Sequence, residues 1–415
     1  MSSADPQGLQ AFPDELASRE AWLEPFDWYR EMRENEPIRY DPDRRTWDVF
    51  RYADVKRVLD DDATFSVDPR LADDFREPER PEEGLIFETM LFEDPPRHDE
   101  LRGVVDDAFE PRTIRQLEPE IRGLAAELLS DALADDRGEL DVVDDFAYPL
   151  PVVVIAELLG VPAEDRDRFK RWSDTLVESS SADDETEAFL ERQQQAQMEM
   201  ANYFFEMIAD RRESPRDDLM TQIVTRELED GSRLSEEEAL GTCILLLIAG
   251  NITTTNLVTN AVRCFDAHDL FEDLRAEPDA IGRAIEEVLR YRSPVQAMSR
   301  VATEDVTLRD AEIESGDRVV VWLGSANRDE RQFEDAGAFV PDRSPNQHLG
   351  FGHGTHYCLG APLARLEASV ALEELCARTA TIETIDTDLQ PVRSSLIYGV
   401  ESLPIRYERP SGNRN

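Results

Sequence analysis

Apolar residues recur at helical spacing through three long segments of this chain, 114–136, 185–212 and 235–265. In the third segment Ser235 is followed three residues later by Glu238, the signature of a capping box, which predicts a helix beginning directly after Ser235. This segment is apolar around most of its circumference, so its helix is predicted to be buried at the centre of the protein. The helical pattern therefore dominates the chain from residue 114 onward.

Strand-like alternation is confined to short pieces near the two ends. Residues 37–50 have the pattern of a hairpin, and a short helical pattern follows at 53–61. Strand patterns return at 306–323 and, close to the C-terminus, at 394–399 and 403–407. No internal repeat and no linker rich in glycine, serine or proline divides the chain. We therefore predict a mainly α protein with small β-sheets.

The chain is strongly acidic. Its formal net charge is −46, and only Lys56 and Lys170 are lysine, so arginine carries nearly all of the basic charge. The acidic residues are spread along the whole sequence, which fits either an ordinary self-repelling surface or adaptation to multimolar salt, where charges are screened beyond about 3 Å. The depletion of lysine favours the second interpretation, a halophilic protein. Nucleic acid is not an expected partner, because phosphate binding requires a basic face.

Targeting segments are not apparent in the sequence. The N-terminal residues lack a basic stretch followed by an apolar run, and the most apolar run, 243–250, is far shorter than the roughly 20 residues that span a bilayer. We therefore expect a cytoplasmic protein with no membrane partner. Its four cysteines show no paired spacing, which indicates reduced thiols.

One stretch, FGHGTHYCLG at 351–360, gathers two of the five histidines and one of the four cysteines. Pro362 follows at the start of a helical pattern, so Cys358 is predicted to lie just before a helix N-terminus. Free amides and the helix dipole at such a position lower the pKa of a thiol and favour the thiolate. Three glycines would let the backbone approach something flat and rigid; they are Gly352, Gly354 and Gly360.

Two simpler interpretations apply to these residue types. An isolated cysteine is most often a small buried apolar side chain. This is our expectation for the other three, Cys243, Cys264 and Cys376. A zinc site formed by His353, His356 and Cys358 is a further alternative, but it has no evident fourth ligand nearby and lacks the usual zinc spacings.

The stretch FGHGTHYCLGAPLAR resembles the haem-binding loop of the cytochromes P450, whose pattern is Phe-x-x-Gly-x-x-x-Cys-x-Gly. The residues that match are Phe351, Gly354, Cys358 and Gly360, and Gly352 lies inside the loop. By this resemblance the loop binds haem b, and Cys358 is the axial thiolate ligand of the iron, a ligand that favours O–O cleavage.

The resemblance extends over about residues 22–408, so it replaces the two or three domains that a length of 415 residues alone favours. It implies one domain, preceded by an N-terminal extension at 1–21 and followed by a tail at 409–415. The family fold is a mainly helical triangular prism with small β-sheets, in which haem lies between a long central helix and the helix after the cysteine.

Three further residues match family positions that brace the fold. Glu287 and Arg290 form the family's Glu-x-x-Arg pair, one helical turn apart and about 70 residues before Cys358. Arg343, just ahead of the cysteine loop, matches the third partner of this pair. We expect a structural role for all three, with no direct part in catalysis.

Haem carries two propionates, and burying them requires paired cations. His98 and Arg102, four residues apart in a helical pattern, match a propionate-binding pair of the family. Arg300 and His356 match two further propionate ligands. Any one of these four residues alone would be interpreted more simply as a solvated charge. Because all four fall on family positions, the resemblance assigns them to the propionates.

In the central helix, the stretch AGNITTTNLV resembles the family's segment Ala-Gly-x-Asp/Glu-Thr over the haem. Ala249, Gly250 and Thr253 are in place, and the hydroxyl of Thr253 is expected to bond the carbonyl of Ala249. Ile252 stands where the family has an acid and cannot relay protons, whereas Asn251 beside it can hydrogen-bond but does not titrate near neutrality. Thr253 and Asn251 are therefore the predicted catalytic residues.

The resemblance implies a haem-thiolate monooxygenase that inserts one atom of dioxygen into an apolar organic substrate. No flavin segment and no Gly-rich dinucleotide motif is evident, so electrons are expected from a separate ferredoxin and its reductase, docking near Arg112 and Arg115. Ile252 keeps open a peroxide-using or non-oxygenating enzyme, and a non-catalytic haem sensor is a third alternative. Apolar residues expected on the substrate side, many of which also suit ordinary core packing, are Leu85, Ile86, Phe87, Met90, Ala297, Met298, Leu396 and Ile397.

Overall fold

The computed structural model of the chain describes residues 12–76, 88–165, 168–169, 171–172, 175, 187–385, 388–392 and 394–410. Helices dominate this part of the chain, which confirms the mainly α class. The helices are α1 Arg19–Leu23, α2 Phe26–Asn35, α3 Tyr52–Asp60, α4 Arg97–Phe109, α5 Pro111–Ile114, α6 Glu118–Ala132, α7 Pro149–Leu159, α8 Glu187–Glu213, α9 Leu219–Thr225, α10 Glu236–Ala267, α11 Phe271–Ala276, α12 Ile281–Tyr291, α13 Leu323–Ala326 and α14 Ala361–Arg378. Short 3₁₀ turns occupy Asp14–Leu16, Pro69–Leu71, Arg115–Leu117, Ala163–Asp165 and Pro278–Ala280, and a π turn occupies Val143–Ala147.

In the residues that the structure describes, ten short strands form three small sheets. The strands are β1 Ile38–Asp41, β2 Thr46–Val49, β3 Phe65–Ser66, β4 Arg137–Asp141, β5 Ala297–Ala302, β6 Val306–Leu308, β7 Ala311–Ile313, β8 Arg318–Trp322, β9 Thr381–Thr384 and β10 Pro404–Glu408. The largest sheet has the order β1-β2-β8-β5-β3, the second the order β4-β10-β9, and the third is the β6–β7 hairpin. Strands β2 and β8 are parallel, with Thr46 opposite Arg318, and the other pairs are antiparallel. The largest sheet therefore joins the first fifty residues to a region nearly 300 residues later.

Local patterns predicted the N-terminal elements well. The predicted hairpin at 37–50 is confirmed as β1 and β2, and the predicted helix at 53–61 is confirmed as α3. Strands β4 and β5 were not expected: β4 has the polar sequence RGELD and is held by β10, with Leu140 opposite Ile405. Its partner strand lies more than 250 residues away in sequence, so no local sequence pattern predicts the pairing.

The predicted strand at 394–399 is wrong, although the predicted strand at 403–407 is confirmed as β10. In the former stretch Ile397 makes only an isolated bridge to Val295. The carbonyl of Leu396 accepts from the amide of Gln296 at 2.7 Å, and the amide of Tyr398 donates to the carbonyl of Pro294 at 2.7 Å. These single bonds fasten the segment to the loop before β5, so it does not extend a sheet.

Helix α10 runs through the middle of the fold. The amide of Glu238 donates to Oγ of Ser235 at 3.1 Å, and the amide of Ser235 donates to the Glu238 carboxylate at 2.8 Å, so the predicted capping box is confirmed. Of the helices in the described ranges, α10 alone has the length and apolar composition to cross a membrane, but 67% of its apolar window is buried inside the protein. It packs against α7, α8, α12 and α14, which is the arrangement of a core helix.

An aromatic cluster holds the N-terminal segment to the end of the chain. Its buried members include Trp22, Tyr29, Phe50, Trp322 and Tyr398. The ring of Phe12 lies 5.0 Å from that of Trp22, and Leu16 is buried in the same cluster. The predicted boundary between an extension and a domain, at residue 22, therefore lies inside α1, and residues before it take part in the core.

Candidate active site

The cysteine loop, residues 351–360, folds back on itself directly before α14. The amide of Cys358 donates to the carbonyl of Phe351 at 2.9 Å, and the amide of Tyr357 donates to the carbonyl of Gly354 at 3.1 Å. The second bond closes a tight turn around His356, and the first joins the two ends of the loop. The loop is thus a fixed structure that presents the thiol at the start of a helix.

The three glycines of this loop differ in backbone conformation and in the space around them. Gly352 and Gly354 adopt positive φ angles of 74° and 71°, the left-handed region that favours glycine. A Cβ on Gly354 would also stand 2.6 Å from the carbonyl oxygen of Leu59, so α3 leaves no room for a side chain. A Cβ on Gly360 would meet no atom within 4 Å. The backbone therefore requires the first two glycines, whereas Gly360 leaves open space beside the thiol.

The thiol of Cys358 is half-buried at the N-terminus of α14, where Gly360 is the N-cap and Pro362 lies in the first turn, as predicted. Burial raises the pKa of this thiol, while backbone hydrogen bonds from Gly360 and Ala361 and the charge of Arg102 act to lower it. The predicted fall in pKa is thus wrong for this structure, because loss of hydration outweighs the helix terminus. A positive partner is needed to hold the thiolate.

Two of the predicted cations lie on α4, one turn apart. The rings of His98 and His356 meet edge to face with centroids 4.3 Å apart, so α4 brings the first histidine directly to the cysteine loop. The guanidinium of Arg102 donates to the carbonyl of Tyr357 at 2.7 Å and to the carboxylate of Asp106 at 3.1 Å. Arg102 therefore also fixes the backbone next to the cysteine.

Arg300, on β5, is a buried cation with only 6% of its surface exposed. Its guanidinium donates to the carbonyl of Ser299 at 2.8 Å. In the described ranges no carboxylate lies within ion-pair distance of it, and Asp94 and Asp62 act only from farther away. Burial accordingly lowers the pKa of Arg300 to about 10. A buried guanidinium without an anion is costly unless a ligand supplies one.

His356 also has a buried polar atom that lacks a partner. Its Nε2 atom is buried and has no hydrogen-bond partner among the described residues. Burial, together with the charges of Arg300, His98 and Arg102, lowers the pKa of the imidazole to about 3. His98 and Arg102 pair with carboxylates of their own helix, Asp99 and Asp106, at 2.9 and 3.1 Å. Among the described residues, Arg300 and His356 have no such partner. Two propionates would meet this need, so the residues present fit the haem that the resemblance implies.

The middle of α10 departs from the buried character of the rest of the helix. Three consecutive residues, Ile248, Ala249 and Gly250, are exposed, whereas the residues on either side are buried or half-buried. The hydroxyl of Thr253 donates to the carbonyl of Ala249 at 2.8 Å, as predicted. Asn251 is buried, with 1% exposed. The helix stays continuous through the predicted oxygen site, but its surface is exposed there. Thr253 is half-buried beside this exposed stretch, whereas Asn251 is buried.

The predicted brace is fully buried. Arg290 donates to both carboxylate oxygens of Glu287, at 2.8 and 2.7 Å, and neither side chain is exposed. Arg343 reaches the same carboxylate at 3.1 Å. The remaining donors of Arg290 go to three backbone carbonyls between 2.7 and 2.9 Å, those of Asn327, Ala336 and Ala338. This network ties α12 to the segment that leads into the cysteine loop.

A second clamp on the loop was not predicted. Arg365 lies with its guanidinium 4.4 Å over the ring of Phe351 and donates to Glu286 at 2.6 and 3.0 Å. His348 reaches the same carboxylate at 3.1 Å. Although burial acts in the opposite direction, His348 and Arg365 lower the pKa of the Glu286 carboxyl to about 2. In the sequence, this clamp was signalled by the two adjacent acids in AIEEVLRY and by the arginine of PLAR.

The residues predicted on the substrate side have mixed surroundings. Leu85, Ile86 and Phe87 lie outside the described residues. Met90 is buried in the helical core and Ala297 in the aromatic cluster, where Leu396 also packs. Met298 is half-buried beside Gly352, whose added Cβ would lie 3.7 Å from the methionine Cε. Met298 is thus the predicted residue that the structure brings to the cysteine loop, and Ala297 and Met90 belong to the core.

Comparison with known proteins gives one consistent result. Residues 279–378 match the family model "Cytochrome P450". The chain is 42% identical over 398 residues to cytochrome P450 109 of Bacillus spizizenii, covering 95% of this chain and 94% of the relative. It is 43% identical over 386 residues to the erythromycin C-12 hydroxylase of Saccharopolyspora erythraea, covering 92% and 94% of the two chains.

A solved structure agrees with the sequence relatives. The crystal structure of CYP109E1 from Bacillus megaterium in complex with corticosterone matches with a TM-score of 0.83 and 41% identity, covering 93% of this chain and 99% of that one. Fold and sequence therefore agree over nearly the whole length. The chain belongs to the cytochrome P450 family, whose members bind haem b through a cysteine thiolate and act as monooxygenases.

Proposed function

We propose that this protein inserts one atom of dioxygen into an apolar small molecule, with electrons from a ferredoxin and its reductase. The observation that carries the proposal lies beside the cysteine loop, where the buried guanidinium of Arg300 and the buried Nε2 atom of His356 have no anionic partner among the described residues. In this proposal Cys358 holds the iron, and Arg300, His356, His98 and Arg102 hold the propionates. When bound, haem b supplies the activation of dioxygen at its iron.

Residues of the cysteine loop and of the central helix would hold the haem. Phe351, Gly352 and Gly360 lie on the cysteine side, where the loop is closed by its own hydrogen bonds. Ala249 and Gly250 lie on the other side, at the exposed part of α10. We assign both sets to cofactor binding. Four of these five residues are glycine or alanine, and their small or absent side chains would leave the room that a flat macrocycle requires.

Proton handling is assigned to Thr253 and Asn251. The hydroxyl proton of Thr253 is directed to the carbonyl of Ala249, so its oxygen lone pairs are free to accept a hydrogen bond from water. Asn251 lies one turn before Thr254 and Thr255. It contributes a side-chain amide that can donate and accept hydrogen bonds. Neither group titrates near neutrality, so both can only pass on a proton supplied from elsewhere.

Two observations support an apolar substrate: the molecules named for relatives of this chain, and the apolar residues described above. One relative is named as an erythromycin hydroxylase, and one related structure holds corticosterone. Here Met298, beside Gly352, and the half-buried Ile397 supply apolar surface. We propose an apolar substrate of similar size. We also propose a cytoplasmic location and a single domain over 22–408, with 1–21 and 409–415 as its flanking segments. The first of these segments contributes Leu16 to the aromatic cluster of the domain.

Ferredoxin-driven turnover is expected to be poorly coupled with apolar surrogate substrates that lack a hydroxyl or carboxylate. Ile252 replaces an acid, and a positioned proton donor typically contributes about 10²–10⁴-fold. Much of the electron flow should therefore appear as hydrogen peroxide, and added peroxide should drive product formation. Ile252→Glu should raise product formed per electron pair. The measurement is product and peroxide per NAD(P)H consumed, with ¹⁸O₂ to locate the inserted oxygen.

The same measurement separates the alternatives. Incorporation of ¹⁸O from dioxygen supports the monooxygenase, whereas product formed only with peroxide supports the peroxide-using enzyme that Ile252 also suggests. Tight coupling with such a surrogate, unaffected by Thr253→Ala, would show that protons reach the site by another path.

Reversing two arginines should slow the first electron transfer. Arg112 and Arg115 are exposed, and α5, which carries the first, packs against α14 behind the cysteine loop. In the described part of the chain neither has a carboxylate within ion-pair distance. We expect the double change to Glu to slow reduction by an acidic ferredoxin about tenfold at the lowest salt that preserves the fold. Stopped-flow reduction measures this.

The control is a double reversal with the same change of charge, Arg30→Glu with Arg137→Glu. Both side chains are exposed and already paired with acids of their own. If the control slows electron transfer as much as the test variant, the effect comes from net charge and the docking face is wrong.

Stability is expected to require high salt. The chain has 91 acidic residues and 45 lysines and arginines, so about half of its carboxylates have no cation available. At millimolar salt the screening length exceeds 30 Å and this excess repels itself across the molecule. We therefore expect the melting temperature to fall steeply from multimolar to millimolar salt. A melt that does not change would contradict the halophilic interpretation and leave the haem assignment intact.

A further inference from the structure

A cation lies over the aromatic ring at the start of the cysteine loop. The guanidinium carbon of Arg365, on α14, stands 4.4 Å from the centroid of the Phe351 ring, within the range of a cation–π contact. Phe351 is buried, and its carbonyl accepts the Cys358 amide at 2.9 Å. The guanidinium therefore contacts the residue to which the cysteine backbone is bonded.

Two further groups fix the direction of this guanidinium. Glu286 on α12 accepts from Nε of Arg365 at 2.6 Å with one carboxylate oxygen and from Nη2 at 3.0 Å with the other. Such a bidentate pair sets the plane of the guanidinium as well as its position. From the loop, the hydroxyl of Tyr357 accepts from Nη1 at 3.3 Å. Arg365 is therefore bonded to α12 and to the loop at the same time.

The carboxylate of Glu286 is held in turn by His348. The amide of Gly350 donates to Nδ1 of His348 at 3.1 Å, so the proton of the neutral imidazole is on Nε2, which lies 3.1 Å from the carboxylate. Only 4% of the His348 side chain is exposed. Burial acts to raise the pKa of Glu286, but His348 and Arg365 outweigh it and lower that pKa to about 2. The anion that anchors Arg365 therefore keeps its charge at neutral pH.

The cysteine loop contacts the positive end of this ion pair. The guanidinium of Arg365 contacts two side chains of the loop. In the described part of the chain, the hydrogen bonds of Glu286 go to Arg365 and His348, both of which lie outside the loop. The charge of Arg365 reaches the Cys358 sulfur and favours its negative form. The pair thus presents a cation, and not its carboxylate, to the thiol.

We propose that Arg365, anchored by Glu286 and His348, is a positioning residue that limits how strongly the Cys358 thiolate donates electrons to the haem iron. This inference rests on the proposed function, in which Cys358 holds the iron. A positive charge near the thiolate draws its electron density back, directly and through the ring that it covers. Weaker donation favours the ferrous state, because reduction adds a negative charge to the site. Arg365 therefore raises the reduction potential and eases delivery of the first electron by the ferredoxin.

Arg365→Gln tests the charge. It removes the cation and leaves Glu286 uncompensated, so we expect the ferric–ferrous equilibrium to shift toward the ferric state about tenfold, or ~59 mV for one electron. Arg365→Lys keeps the charge without the planar fork and should retain most of the wild-type potential. The matched control is Arg378→Gln on the same helix, where the arginine is similarly exposed, 32% against 35%, and pairs with Glu374. Redox titration of the haem-loaded proteins in high salt should show no change for this control.

Infrared spectra of the ferrous carbonyl form give a second readout. A thiolate that donates more strongly enriches the iron in electrons, which pass into the antibonding orbital of the bound carbon monoxide and lower its stretching frequency. We therefore expect a lower C–O frequency in Arg365→Gln, and the wild-type value in Arg365→Lys and in Arg378→Gln. A loss of stability alone would not move this frequency.

Glu286→Gln supplies the opposite change and leaves Arg365 in place. It removes the negative charge and keeps the guanidinium, so the potential should rise. A merely structural clamp would instead lower the melting temperature of Arg365→Gln and leave the potential and the C–O frequency of both variants at wild-type values, and this result would overturn the proposal. A potential lowered equally by Arg365→Gln and Arg365→Lys would overturn it as well, since the charge would not be the cause. A wild-type protein that binds no haem would overturn the proposed function instead.

Discussion

Cys358→Ala is expected to abolish the strongly red-shifted ferrous–carbonyl Soret band of a thiolate-ligated haem, and product formation with it. The loop holds this thiol at the N-terminus of α14, closed by a hydrogen bond from the Cys358 amide to the Phe351 carbonyl at 2.9 Å. A methyl group cannot donate an electron pair to iron, so the ligand is lost while the loop's backbone bonds remain. Reduced, carbonyl-treated protein in high salt gives the spectrum directly.

The matched control is Cys376→Ala on the same helix. Cys376 is buried, and burial raises the pKa of its thiol to about 11, so it is an inert apolar side chain. This variant should keep the red-shifted band. A Cys358→Ala protein that retained the band would contradict the ligand assignment, and stoichiometric zinc in place of haem would contradict the cofactor.

Glu287→Gln is expected to lower the free energy of unfolding by about 3–5 kcal/mol. The carboxylate of Glu287 is fully buried and receives Arg290 at 2.7 and 2.8 Å and Arg343 at 3.1 Å. The amide of Val340 also donates to it at 2.8 Å. Neutralising the carboxylate leaves two guanidinium groups without an anion and turns an amide NH₂ toward them. Denaturant unfolding followed at constant high salt measures the loss.

The neighbouring Glu286→Gln provides a control of the same chemistry. Glu286 pairs with Arg365, but both side chains are about one-third exposed, and such pairs contribute about 1 kcal/mol or less. We therefore expect a much smaller loss for it than for Glu287→Gln. Equal losses for the two variants would show that burial does not set the strength of the brace.

Several features of the site follow from local sequence. The capping box at Ser235, the helix start after Cys358 and the bond from Thr253 to Ala249 each depend on residues within four positions of one another. Local spacing fixes such contacts, so the sequence predicted them correctly. The Glu287–Arg290 pair is of the same kind, one turn apart on one helix.

Features that depend on distant residues could not be predicted in this way. Strand β4 is polar, and its pairing with β10 is specified by the end of the chain. The pKa of Cys358 depends on how deeply the folded chain buries the thiol, which the helix-terminus argument does not include. Burial and partner choice are properties of the assembled fold.

The largest sheet constrains when this protein can fold during synthesis. Strand β2 at Thr46–Val49 has no neighbour on one side until β8, at Arg318–Trp322, has left the ribosome. Contacts so distant in sequence require closure of a long loop before they contribute, which slows folding and exposes unpaired strand edges. The β1–β2 hairpin therefore remains with an open edge through most of translation, and the strongly negative net charge of the chain as a whole keeps nascent chains apart in the meantime.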